Sequence, residues 1–111
     1  MAEYLLIESR DPYQYAETGA FYQVAADLAT AGNEVTFFLV QNGVLPARQG
    51  ASSSPVAQLR SLAPSVNVVA DGFSLQERAF TSGRLAECVK AAPIDDLVDL
   101  LVEPDVKAIW H

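Results

Sequence analysis

Apolar residues occur along this chain in two kinds of pattern. Residues 3–9 (EYLLIES) and 35–40 (VTFFLV) are continuous apolar runs rather than alternating ones. Such runs predict short strands of a parallel sheet that is covered on both faces. Between them, Phe21, Val24, Ala25 and Leu28 recur at i, i+3, i+4 and i+7, the stripe of an amphipathic helix. Thr18 is placed to cap its start and Gly32 to end it. Strand, helix and strand within about 40 residues make a βαβ unit.

The pattern continues through the rest of the chain. Residues 41–54 are rich in small and turn-forming types and predict a loop. Ser54-Pro55 then offers a cap followed by proline at the first helical position, with Val56, Leu59 and Leu62 on the apolar side and Pro64 as the stop. Residues 66–70 (VNVVA) predict a third strand. Ser74-Leu75-Gln76-Glu77 matches the S-x-x-E capping box and predicts a helix from Ser74. Ser82 is placed to cap a short helix that turns Leu85, Cys88 and Val89 inward. Pro93 opens a last helix with Ile94, Leu97, Val98 and Leu101 on its buried face, and Pro104 closes it. Residues 106–110 (VKAIW) predict the final strand. No linker, repeat or second domain interrupts residues 1–111. The alternation predicts a single α/β domain, a three-layer α/β/α sandwich on a mainly parallel sheet of four to five strands, the fifth without a place in the sequence.

Composition narrows the function classes. With 111 residues, half of them hydrophobic, the chain can bury a real core. Its net charge is −7 and its pI about 4.4, the wrong sign for a generic phosphate-backbone binder, so nucleic acid is not expected as a partner. No apolar stretch is long enough to span a bilayer. The opening residues Met1-Ala2-Glu3-Tyr4 lack the positive segment of a signal peptide, and a cytoplasmic protein is expected. One cysteine and one histidine predict neither a disulfide framework nor a multi-ligand metal site, and no cofactor is expected.

In a parallel sheet, ligands bind outside the carboxyl ends of the strands. Residues 10–18, 41–44 and 71–74 should therefore share one rim. They bring Tyr13, Asn42, Asp71 and Ser74 together, with Arg78 one helical turn on, as a candidate pocket for a small polar ligand or a partner's extended tail. Each also has a structural reading. Asp71-Gly72 is a common turn pair, Ser74 a cap, Arg78 a surface charge, and Tyr13 and Tyr15 packing or subunit-contact residues. Asp95, Asp96 and Asp99 read as a solvated helix face, and the serines 52–54 as loop and cap. Tyr13, Tyr15, Phe73 and Phe80 fall off the central stripes, as interface aromatics do.

No phosphate-binding, dinucleotide-binding, nucleophile-elbow, C-x-x-C or H-E-x-x-H signature is present. Ser–His–Asp chemistry would have to use His111, a poor candidate with no partner visible in the sequence. Cys88 follows Leu85 by three residues on an apolar stripe and reads as a small buried hydrophobe rather than as a reactive thiol.

Residues 11–35 (DPYQYAETGAFYQVAADLATAGNEV), the Asn42-Gly43-Val44 turn, residues 66–80 (VNVVADGFSLQERAF) and residues 94–111 (IDDLVDLLVEPDVKAIWH) together resemble the DsrE/TusD-like (DsrE/DsrF-like, YchN-like) family over nearly the whole chain. The resemblance implies an oligomeric α/β protein, a trimer or hexamer, formed by self-association or with other sulfur-relay subunits. Several such proteins carry sulfane sulfur as a persulfide on a cysteine just past the third strand. That position would be Ala70 or Asp71 here, and no cysteine lies within 66–80. Neither a methyl nor a carboxylate can hold transferable sulfur. The resemblance therefore implies a non-catalytic subunit or a binding module. One alternative is a sulfurtransferase using Cys88 as a displaced carrier. Another is a small hydrolase or lyase with Asp71 as base.

Overall fold

The computed structural model describes residues 2–12, 15–48, 54–78, 85–86 and 88–111. Five strands form one sheet: β1 (Glu3–Glu8), β2 (Glu34–Leu39), β3 (Asn67–Asp71), β4 (Val89–Ala92) and β5 (Val106–Trp110). Their order is β4-β3-β2-β1-β5, and every pairing is parallel. Helix α1 (Thr18–Thr30) links β1 to β2. A 3-10 helix (Gln41–Ala47) and α2 (Pro55–Leu62) link β2 to β3. Helix α3 (Gly72–Glu77) follows β3, and α4 (Ile94–Leu101) links β4 to β5. The fold is α/β, and the fifth strand that the sequence left without a place is β4.

Alternation along each strand divides the core in two. On one face Leu6, Phe37, Leu39, Val68 and Ala70 pack against Phe21, Tyr22 and Ala25 of α1, Val56 and Leu59 of α2 and Leu75 of α3. Phe37 sits between the α1 rings, 5.6 Å from Phe21 and 4.5 Å from Tyr22. On the other face, among the described residues, Leu5, Ile7, Phe38, Val40 and Val69 meet one helix, α4, through Leu97 and the partly buried Leu100. The central strands β1 and β2 are buried on both sides, which is why they read as continuous apolar runs.

Several local expectations are corrected. Of the stripe expected to be buried on α4, only Leu97 is; Ile94, Val98 and Leu101 are exposed. One eight-residue helix lies over that face, and the stripe is wider than its contact with the sheet. β5 is an edge strand whose residues are mostly exposed, Trp110 at 62%. Leu85, Cys88 and Val89 are not helical. Leu85 forms an antiparallel bridge with Arg48, Cys88 lies in a turn and Val89 opens β4, although Leu85 and Cys88 do pack against the larger core. Residues 41–47 are a 3-10 helix rather than an irregular loop. Tyr13, Phe80, Ser52, Ser53 and Ser82 lie outside the described residues.

The helix boundaries have clear local causes. Ser54 Oγ accepts from the Ala57 amide and Pro55 opens α2, the expected cap. At α1 the cap position is Glu17, without a side-chain bond, and Thr18 is the first helical residue, wholly buried. Gly32, at φ 95°, turns the chain out of α1. At α3 the cap is Asp71, not Ser74, because the helix starts directly from the last residue of β3.

Candidate functional site

The carboxyl ends of β1, β2, β3 and β5 meet along one edge of the sheet. At the β3 end, Asp71 is buried and its Oδ2 accepts from the Ser74 amide (3.1 Å) and the Ser74 hydroxyl (2.7 Å). Ser74 Oγ in turn accepts from the Gln41 amide at 2.9 Å. Gln41 has a left-handed φ of 51°, an unfavourable conformation for a residue with a β-carbon, and this bond helps hold it. Arg78 Nε and Nη2 both donate to Asn42 Oδ1, at 3.1 and 2.9 Å, and Nη1 donates to the Ser74 carbonyl.

Asn42, Asp71, Ser74 and Arg78 are thus brought together, as one hydrogen-bonded network that ties the 3-10 helix to α3. Tyr13 lies outside the described residues. Asp71 Oδ1 is buried and has no partner among the described residues. A buried carboxylate oxygen left unpaired is costly.

A second cluster lies at the ends of β1 and β5. Glu8 is wholly buried. His111 Nδ1 lies 3.0 and 2.9 Å from its two carboxylate oxygens. The imidazole stacks on Phe21 with centroids 5.0 Å apart. The backbone fixes its position: the His111 amide donates to the Ile7 carbonyl, and the Ser9 amide and hydroxyl both donate to the His111 carbonyl. Burial pushes the Glu8 carboxyl above its ordinary range, while the bond from His111 pulls the other way. The sequence reading missed this pair because its members are 103 residues apart and meet only through the placement of β5 beside β1. The one available signal was an acidic residue ending a buried strand.

Two cavities flank other parts of the sheet. One, of about 530 Å³, lies at the opposite end of the strands against Gly32, Asn33 and Asn67. The other, a groove of about 450 Å³, runs beside α4 between Phe38, Val69, Lys90 and Asp96. Neither includes the residues of the two clusters. Among the described residues no group of three or more His, Cys, Asp or Glu could hold a metal ion, and no helix is long and apolar enough to cross a membrane.

The fold matches that of known structures. The crystal structure of the ychN protein from E. coli superposes with a TM-score of 0.81, covering 98% of this chain and 100% of that one at 15% identity. A protein of unknown function from Methanobacterium thermoautotrophicum superposes with a TM-score of 0.80 over the full length of both chains, again at 15% identity. The chain has the YchN/DsrE-like fold. No family model matches the sequence, and no curated protein matches it. Within the YchN/DsrE-like fold, Asp71 stands at the third-strand turn and Cys88 does not. Cys88 precedes Val89, which pairs with Val68 at the start of β3. It is therefore level with Asn67, four residues or about 13 Å along the strand from Asp71.

Proposed function

We propose that the protein is a self-associating DsrE-like subunit, a trimer or hexamer, that binds a small polar ligand or a partner segment at its strand-end rim and transfers no sulfur. The observation that carries the reading is the uncovered layer beside α4. Ile94, Val98, Leu101 and Val102 of that helix region are all exposed, as is Trp110 of β5, which pairs with Ile7 on the same face. Large apolar side chains gathered on one side of a small domain mark an association surface. The rim supports the rest: Asp71 offers an unpartnered buried oxygen to a donor and no sulfur to an acceptor. Cys88, at the other end of the strands, is half-buried and distant from this turn.

Sedimentation velocity at micromolar concentration tests the reading. The wild type is expected well above its 11.9 kDa monomer mass, and Val98→Asp combined with Val102→Asp is expected to return it to that mass while far-UV circular dichroism stays unchanged. A monomeric wild type overturns the proposal.

A further inference from the structure

We infer that Glu8 and His111 form a proton-accepting dyad in the crevice between β1 and β5, where Nε2 of His111 takes a proton from water or from the hydroxyl of a small ligand. The topology points to the same place. From β1 the chain steps through β2 and β3 to β4 in one direction, and β5 then joins on the far side of β1. The strand order reverses between β1 and β5, with the α1 crossover on one face of the sheet and the α4 crossover on the other. In open α/β sheets the carboxyl-end crevice at such a reversal is the favoured binding position. Glu8 ends β1, and His111 immediately follows β5.

The chemistry follows from the geometry. A wholly buried carboxylate needs a donor, and Nδ1 of His111 supplies it to both oxygens. A neutral imidazole with its proton on Nδ1 carries its lone pair on Nε2. Nε2 makes no hydrogen bond to the protein among the described residues, and the side chain is 22% exposed, so a small molecule can reach the ring. Stacking on Phe21 and the three backbone-anchoring bonds hold the ring in one orientation. Thr18 precedes Phe21 by three residues and so shares its helix face; its buried Oγ1 has no partner among the described residues. When Nε2 accepts a proton, the Glu8 carboxylate stabilises the imidazolium, as the acidic member does in other carboxylate–histidine pairs. The inference does not rest on self-association.

Two measurements on the full chain test it. Nitrogen-15 shifts of His111 in the neutral imidazole should show Nδ1 protonated and Nε2 bare. Hydrolysis of p-nitrophenyl acetate probes the base: Nε2 takes a proton from water, the water oxygen attacks the acyl carbon, and the acyl–oxygen bond breaks to give acetic acid and p-nitrophenolate. The imidazolium then returns its proton to solvent. His111→Asn keeps an N–H donor facing Glu8 but removes Nε2, so it is expected to remain folded and to lose at least tenfold in rate. Glu8→Gln removes the stabilising charge and should fall below the wild type. A proton on Nε2, or equal rates for the wild type and His111→Asn, overturns the inference. The tautomer is read on the wild type, so the test stands even if a variant fails to fold.

Discussion

Gly43 lies against the backbone of Glu8, and a β-carbon on residue 43 would fall inside the Glu8 carbonyl group. The same carbonyl accepts from the Val40 amide at 2.9 Å, and the Gly43 amide donates to the Val40 carbonyl. None of these atoms is the free end of a flexible side chain, so the clash has no cheap relief. Gly43→Ala should therefore destabilise the fold by about 3 kcal/mol, the upper range for overpacking. The urea midpoint measures it, and an unchanged midpoint contradicts the contact.

Glu8 gives the stability a definite dependence on pH. Burial raises its folded carboxyl pKa above the ordinary 4.5. The folded state then holds that proton more tightly than the unfolded chain does. The contribution of Glu8 is fully present below pH 4.5 and is lost as pH rises through the raised folded value. Glu8→Gln cannot ionise, so the gap between variant and wild type should move in the variant's favour from pH 4 to pH 7. Chemical denaturation of both proteins across that window checks the sign.

The rim network separates a buried cap from an exposed tie. Asp71→Ala removes the acceptor for both the amide and the hydroxyl of Ser74 and should cost about 2 kcal/mol. Arg78→Ala removes bonds to Asn42 at the surface and should cost less than about 1 kcal/mol. Thermal or urea unfolding of the two variants orders them, and equal losses would mean that Arg78 does more than tie Asn42.

Cys88 is half-buried against the larger core. Iodoacetamide should label it more slowly in the folded protein than in urea-unfolded chain, and persulfide from a sulfur donor should not accumulate on it. Labelling at the unfolded rate, or stable persulfide uptake, would restore the displaced-carrier reading.

The interior of the sheet was legible in the sequence. β1 and β2 are covered on both faces, and a doubly buried strand has no choice but a continuous apolar run. α2 was legible because Ser54-Pro55 is a local signal that needs no tertiary partner. The edges were not. β5 and α4 carry apolar residues that this chain does not bury, and periodicity reports which residues are apolar, not what covers them. Leu85, Cys88 and Val89 have helical spacing over too few residues to outweigh β4 pairing with β3. Asn42, Asp71, Ser74 and Arg78 could be grouped because the strand-end rule collects residues close in sequence to strand ends, and they do share one hydrogen-bonded network. His111 was passed over because its partner, Glu8, is contributed by the other end of the topology.

The adjacency of β1 and β5 has a consequence for how the chain acquires its shape. Every contact between these strands closes a loop of about one hundred residues, and such closures demand a large entropic outlay before any contact forms. β1 can pair with β2 as soon as α1 is made, but its other edge must wait for β5. During synthesis on the ribosome, then, Glu8 waits beside an unpaired strand edge with its histidine still unmade. A nascent chain arrested before Val106 should thus present β1 as an open edge, the state most exposed to chaperones and to mispairing.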